Sequence, residues 1–505
     1  MGKTIRIGID FGTSYSFAGF QHGDFVMPLI PAKERYGIPS VFYYDGTSKL
    51  VGRMAEKRGK NKPDCVVYSI KRNLGQKALS VGGRVFSVKE VVKEIISYII
   101  QCAEEQLKTV YMEEYDSIEA VITVPVEFLE PELNLIREAA SEVVLGNGTN
   151  LQITGVLKEP VAAAIEYFGI KKEEKVNILV YDLGGGTFDA ALVCASPEGE
   201  FPYKVIDQDG DRKLGGDDWD RMLAMWMAAR YREMFQAEPS FEILEQLLRE
   251  AKTYKEDLTE LEAVNDEVMI EGEYLPVEIT RAEFEKLTKP LLDRSLMKLR
   301  RLLERNPDTK IDHVILTGGS SYMPQVKKAL ESCGLFKKGT DILLVEPEHA
   351  IAYGAARFAA TRRADAVSKK VVVEKKLIEL RATHSYGILY SNYKTRTEFL
   401  GLFIYKGDKL PVSVKKHSAT GYENHRKVVF KIYESDYDGK EKFIEASKGH
   451  QIMSVTMMRK EENVPAGTIS EDTMSLTEDG ILTFESKDIV SGMEVKKMTS
   501  VKRNL

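Results

Sequence analysis

Up to about Arg363, short apolar runs of strand length alternate with longer stretches of helical character. Strands are predicted over Ala120 to Val124, Ile178 to Tyr181 and His313 to Leu316. Helices are predicted over Lys89 to Lys108, Asp217 to Phe235, Phe241 to Leu261 and Arg281 to Arg305. That alternation is the pattern of an α/β domain. After Arg363 the texture changes. A charged stretch carrying Val371-Val372-Val373 leads into short alternating runs: Lys427 to Tyr433, Gln451 to Met457, Asp472 to Leu476, Ile481 to Glu485 and Glu494 to Met498. The pairs Asp438-Gly439, Asp479-Gly480 and Ser491-Gly492 mark turns between them, so this part reads as a small all-β domain.

Composition narrows the class without deciding it. A chain of 505 residues has room for two or three domains with real cores. With 43% hydrophobic and 29% charged residues it is ordinary for a globular protein, and a net charge of −6 predicts no bulk attraction to nucleic acid or to an anionic membrane. No apolar run reaches the roughly 18–20 residues needed to span a bilayer. The N-terminus runs straight into a strand with no signal peptide, and Arg6 stands where a myristoylation signal wants Ser or Thr. Cys65, Cys102, Cys194 and Cys333 are far apart and form no CxxC pair, which argues against zinc or a disulfide framework and fits a cytoplasmic location.

The candidate chemistry lies in two echoing segments. Ile7-Gly8-Ile9-Asp10-Phe11-Gly12-Thr13-Ser14 opens the chain, and Val180-Tyr181-Asp182-Leu183-Gly184-Gly185-Gly186-Thr187-Phe188-Asp189 stands further in. Each is an apolar strand ending in Asp, then a glycine turn, then a hydroxyl. Backbone N–H groups reach phosphate oxygens most easily where no Cβ intervenes, which is the use of Gly12 and of Gly184, Gly185 and Gly186. Thr13, Ser14 and Thr187 add hydroxyl donors, and Asp10, Asp182 and Asp189 are hard oxygen groups suited to Mg²⁺ held largely through water. Neither loop is a Walker P-loop. Leu214-Gly215-Gly216-Asp217, before an apolar-rich helix, and Thr317-Gly318-Gly319-Ser320, between a strand and a helix, offer helix N-termini to an anion or a nucleoside. Each of these two is equally readable as an ordinary cap. Two similar halves clamping one polyphosphate make the chain an ATPase candidate.

Further segments give the pattern an identity. Asp10-Phe11-Gly12-Thr13-Ser14, Ile70-Lys71-Arg72, Ala120-Val121-Ile122-Thr123-Val124-Pro125, Glu159-Pro160-Val161-Ala162-Ala163-Ala164, Asp182 to Asp189, Leu214-Gly215-Gly216 and Gly318-Gly319 occur in the order and spacing of the seventy-kilodalton heat-shock chaperones of DnaK type, which residues 3–363 closely resemble. More faintly, Gly387-Ile388, Leu410-Pro411, His417-Ser418 and Asp479-Gly480-Ile481-Leu482 resemble landmarks of that family's peptide-binding β-sandwich. The resemblance implies an actin-like (ribonuclease H-like), two-lobed ATPase domain over 1–363, a linker over 364–376 that includes Val371 to Glu374, and a β-sandwich over 377–505. It implies ATP or ADP with Mg²⁺ in the cleft, where Lys71, Glu159, Asp182 and Thr187 carry the hydrolysis. Asp10, Asp182, Asp189 and Glu159 would hold the hydrated metal. Gly12, Thr13, Ser14, Gly184, Gly185, Gly186, Gly215, Gly216, Lys255, Thr259, Gly318, Gly319 and Ser320 would hold the nucleotide. It implies unfolded or extended polypeptide, a J-domain co-chaperone and a nucleotide exchange factor as partners.

Departures from the family pattern carry expectations of their own. Lys252, Lys255, Glu256 and Thr259 share a helix face, with Lys252 where the family usually has Glu and Glu256 where it often has Arg. Tyr322 takes the place of an Arg that stacks on the base. Leu133 stands where the family has an Arg that relays nucleotide state from Pro125, and Gly155 where it has an Arg that contacts the J-domain protein. Val428 aligns with a pocket residue and Gly421 with an arch over the peptide. The family's helical lid has no counterpart before Leu505, so the expectation is weak, fast-exchanging peptide. The alternatives are an actin-like assembly protein, a small-molecule kinase of the same superfold, or a nucleotide sensor that does not hydrolyse.

Overall fold

The computed structural model describes the chain except residues 1–2, 32–33, 35–36, 129, 172–174, 197–201, 338, 345–348, 365–370, 374–377, 380, 383, 393–394, 396, 422–426, 460–463, 478–479 and 502–505. Glu374 and Asp479 are therefore outside it. The chain divides into two compact units, 1–377 and 378–505.

Two sheets of matching topology organise the first unit. In one, the central strand Thr4–Asp10 runs antiparallel to Tyr15–His22, which pairs on to Phe25–Pro28, and parallel to Ser117–Val124, which is followed by Gln152–Lys158. In the other, Val176–Leu183 runs antiparallel to Phe188–Ala195 and then Tyr203–Asp211, and parallel to His313–Thr317 and then Asp341–Leu344. The echo between the two glycine segments is thus an echo of whole lobes. Both central strands are buried along most of their length, which fits the apolar stretches Ile7-Gly8-Ile9 and Ile178-Leu179-Val180-Tyr181; only half-buried Arg6 and Asn177 stand just before them. Helices Glu159–Lys171 and Ala350–Ala359 pack closely enough that a Cβ on Gly354 would overlap the Ala162 carbonyl.

The predicted helices form at Val88–Thr109, Gly216–Phe235, Phe241–Glu260 and Arg281–Glu304. Ser87 and Thr280 begin two of them with reciprocal capping boxes to Glu90 and Glu283, each cap contributing about 1 kcal/mol. A hairpin of Ala263–Ile270 and Glu273–Thr280 was not expected. Its inward residues Val264, Val268, Ile270, Leu275, Val277 and Ile279 are buried, but exposed Asp266 breaks the alternation of the first strand and charged neighbours mask the run. In the linker segment, Val371–Val373 pairs with Arg362–Ala364.

The second unit is all-β. Strands Phe443–Glu445, Glu398–Ile404, Ser385–Ser391, Lys427–Ser435 and His450–Met458 form one sheet, and Val412–Ala419, Ile469–Leu476, Ile481–Asp488 and Glu494–Ser500 form the other. Their inner faces meet: the Phe430 and Phe484 rings lie 5.1 Å apart, one from each sheet. Arg459 and Asp488 form an ion pair with both side chains fully buried.

Candidate nucleotide site

Each central strand delivers an Asp at its end: Asp10 in one lobe, Asp182 in the other. Asp10 accepts a hydrogen bond from the Thr123 hydroxyl at 2.9 Å, and Asp182 sits in register with Thr317 on the neighbouring strand. Asp189 opens the return strand, where its Oδ1 accepts the Val126 N–H at 2.7 Å. Lys71 comes from a single 3-10 turn, Ile70–Asn73, and Glu159 from the first turn of its helix. The two form an ion pair at 2.6 Å, with Lys71 only 4% and Glu159 only 6% exposed. The Lys71 ammonium also lies 5.7 Å from the centre of the Phe11 ring and 5.6 Å from that of Phe128.

Lys71 thus faces four buried carboxyl groups, with the buried Lys158 ammonium adding a weaker pull on Asp189. Burial, and next the Glu159 charge, push the Asp10 carboxyl up to about 7 and the Asp189 carboxyl up to about 7. The same two causes, joined by the Asp189 and Asp10 charges, hold Asp182 well above the usual carboxylate range. Asp182 Oδ1 and Asp189 Oδ2 are buried without a hydrogen-bond partner. Surplus negative charge and orphaned oxygens are what a divalent cation would compensate. Among the described residues no three acidic, His or Cys side chains are set to ligate one ion directly; hard carboxylate oxygens of this kind suit a Mg²⁺ ion that keeps several of its waters.

The glycine loops close round this centre. The carbonyls of Gly184 and Gly185 accept the N–H groups of Gly216 and Asp217 at 2.9 and 2.8 Å, and the Gly186 carbonyl accepts two bonds from Arg72 at 3.1 and 2.8 Å. A trans peptide sets its N–H opposite its C=O, so the N–H groups of Gly185, Gly186 and Thr187 face away from these ties, as an anion cradle needs. Thr13 and Ser14 from the other lobe press on the same loop: a Cβ on Gly186 would overlap Thr13, and one on Gly185 would overlap Ser14 Oγ. Gly12 is tied through its carbonyl to Ser40 Oγ at 2.9 Å.

On the far side, Gly216, Lys255 and Ser320 come together. A Cβ on Gly216 would overlap Ser320 Oγ and lie 3.1 Å from Lys255 Nζ. Lys255 pairs with buried Asp220 at 2.7 Å. Gly318 has φ +80°, and a Cβ there would overlap Asp182 Oδ1; Gly319 has open space. Thr259 is not brought into this group by a direct contact: its hydroxyl bonds the Lys255 carbonyl of its own helix at 3.1 Å.

This arrangement of loops and carboxylates can be compared with known proteins. The family model described as Hsp70 protein matches residues 6–81 and 78–504. This chain belongs to the Hsp70 family. The Chaperone protein DnaK of Mesomycoplasma hyopneumoniae (strain 232) is 30% identical over 367 residues, covering 70% of this chain and 58% of that protein. The Chaperone protein DnaK of Mycoplasmoides gallisepticum is 28% identical over 513 residues, covering 97% of this chain and 79% of that protein. The chain thus spans a little over half the length of the first of these relatives. Its fold is the family's actin-like two-lobed domain followed by a β-sandwich.

The positions that depart from the family pattern find partners of other kinds. The Lys252 ammonium lies 5.1 Å from the centre of the Tyr15 ring, across the cleft, with its Nζ 3.5 Å from the Tyr15 hydroxyl. Glu256 is exposed, and Tyr322 is 41% exposed. Leu133 belongs to the first lobe's apolar core. Beside Gly155, where an added Cβ would lie 3.5 Å away, is Nη1 of Arg362, which donates to the Thr154 carbonyl and stacks on Phe358 at 4.4 Å.

Two contributors were given no role of their own from the sequence: the pair Ser69 and Arg72, which lie on either side of Lys71, and Lys158. Arg72 bonds both carboxylate oxygens of Asp218, at 3.1 and 2.6 Å, besides the Gly186 carbonyl, and Ser69 donates to Asp217 at 2.6 Å. These contacts join the lobes at the mouth of the glycine loops. The doubled acid Asp217-Asp218 at a helix start was the available signal. The second contributor is Lys158, fully buried beside Glu159.

Proposed function

We propose that this chain binds ATP with Mg²⁺ between its lobes, hydrolyses it slowly, and binds extended polypeptide through its β-sandwich. The observation that carries the reading is the buried Lys71–Glu159 pair among Asp10, Asp182 and Asp189, two of them with orphaned oxygens, under glycine loops contributed by both lobes. The bound ion would neutralise phosphate charge. Asp10, Asp182, Asp189 and Glu159 would hold its water shell, and the same carboxylates would orient an attacking water. Lys71 would sit over the charge that grows on the transferred phosphoryl group, and the N–H groups of residues 185–187 with Thr13, Ser14 and Thr187 would fix the phosphates. This is catalysis by positioning and electrostatics.

Lys71→Ala is expected to abolish most turnover while nucleotide binding stays measurable, because the ammonium acts chiefly on charge that develops in the transition state. The check is Mg²⁺-dependent phosphate release by wild type and variant, with binding followed by a fluorescent ATP analogue. Wild-type turnover no higher than that of Lys71→Ala would favour a nucleotide sensor, a reading supported by Lys252 and Glu256 on the base side. Nucleotide-dependent sedimentation would instead favour an assembly protein.

A further inference from the structure

We propose that Lys158 is a positioning residue of the nucleotide site, a buried ammonium that holds the turn 125–128 in place and through it orients Asp189 and Lys71. The inference rests on the ATPase reading for its consequence but on geometry for its substance. Lys158 ends the strand Gln152–Lys158, and its side chain is completely buried. Its Nζ donates to the Pro125 carbonyl at 2.9 Å and to the Phe128 carbonyl at 3.3 Å. A buried ammonium is costly unless its protons are taken up, and two carbonyls of one turn serve that end here. The turn closes on itself by the Phe128 N–H to the Pro125 carbonyl at 3.3 Å.

That turn forms a wall of the site. Its Val126 N–H is the donor that fixes Asp189 Oδ1 at 2.7 Å, and its Phe128 ring lies 5.6 Å from the Lys71 ammonium. The next residue in sequence after Lys158 is Glu159, the partner of Lys71. One side chain therefore ties together the segment that aims Asp189, the ring beside Lys71 and the strand end that delivers Glu159. Lys158 touches none of the reacting atoms proposed above; it acts through its neighbours. An apolar side chain of the same length fills the space but removes both ammonium bonds, leaving the Pro125 carbonyl only its longer bond from the Phe128 N–H and the turn freer to swing.

The test uses the full chain with Lys158→Met and Lys158→Arg. In nucleotide-free wild type, hydrogen exchange should show the Val126 amide protected. Lys158→Met should lose that protection at least tenfold, with the sheet strands Thr4–Asp10 and Val176–Leu183 unchanged. Given the ATPase activity, kcat should fall at least thirtyfold while nucleotide affinity moves less than threefold, and Lys158→Arg should recover part of both signals. Folded Lys158→Met with unchanged Val126 exchange overturns the proposal. So does a loss of exchange protection spread evenly over the lobe, which marks a packing role only. Wild type without turnover, but with the local exchange change in Lys158→Met, would sink the ATPase reading and leave the positioning role standing.

Discussion

Gly215 and Gly216 stand side by side yet tolerate side chains differently. A Cβ on Gly215 would meet the backbone carbons of Gly186 and Gly185 at 2.6 and 2.7 Å, so the two loops must part to admit it. On Gly216 the obstacles are the Ser320 hydroxyl and the Lys255 ammonium, ends of side chains that can turn aside. Gly215→Ala is therefore expected to weaken binding of a fluorescent ATP analogue at least tenfold and Gly216→Ala by clearly less, the reverse order counting against a cradle built from both loops. The family-like charges absent from the relay positions follow the same logic of surroundings. Leu133 is a core residue, so Leu133→Arg would bury an unpaired charge and should cost several kcal/mol in a thermal melt. At Gly155 an arginine would meet the Arg362 guanidinium. Stimulation of turnover by a generic J-domain is expected to be small in the unmodified protein, and a large stimulation measured in single-turnover assays would show that another residue supplies the contact.

Elements were legible where a single periodicity ruled them. The doubly buried strands and the capped helices declare themselves because burial or capping acts on neighbouring residues, and their ends fall within a few positions of those expected. The hairpin Ala263–Ile270 and Glu273–Thr280 did not, since its inward face is chosen by the helices it packs on. The glycines and carboxylates that the structure brings together in the candidate site were legible, since they are set by local backbone needs. Arg72 and Lys158 were not, because their partners lie more than a hundred and about thirty residues away, respectively. A second buried lock of this kind holds the sandwich. Arg459 joins Asp488 at the end of strand Ile481–Asp488, and Asp488 also accepts the Ser491 and Val490 N–H groups. Burial pushes the Asp488 carboxyl up, but those N–H groups and the guanidinium prevail and hold it below the usual range. A depressed carboxyl contributes stability that is fully present above its unfolded pKa of about 4 and is lost as pH falls through the lower folded value. Arg459→Met should leave Asp488 buried and unpaired, lower the stability of the β unit by about 3–5 kcal/mol, and move its acid unfolding midpoint upward. An unchanged midpoint, followed by intrinsic fluorescence or circular dichroism, would mean that the pair is not what holds these strands.

For the whole molecule, the proposed reading pairs a nucleotide-binding unit with a β-sandwich that would hold an extended segment. The sandwich offers strand edges and partly exposed apolar side chains to an extended segment, which would bind by backbone pairing with alternate side chains entering pockets. Val428 is half-buried on Lys427–Ser435, in register with Met457, while Gly421 is exposed and 422–426, the rest of that loop, lie outside the described residues. One pocketed Leu gains about 1.5–3 kcal/mol, and ordering the peptide offsets part of that gain. A fluorescent Leu-rich peptide should therefore bind the full chain at micromolar Kd or weaker, with differences among variants appearing mainly in the off-rate. Val428→Phe adds bulk where the aliphatic side chain of the peptide would enter and should speed dissociation without lowering the melting temperature of the nucleotide unit. Peptide binding that is absent, or indifferent to Val428→Phe, would point away from a groove at this strand and toward a sandwich that docks on a folded partner, with exposed apolar side chains such as Phe443, Met458, Val490 and Met498 then left to explain.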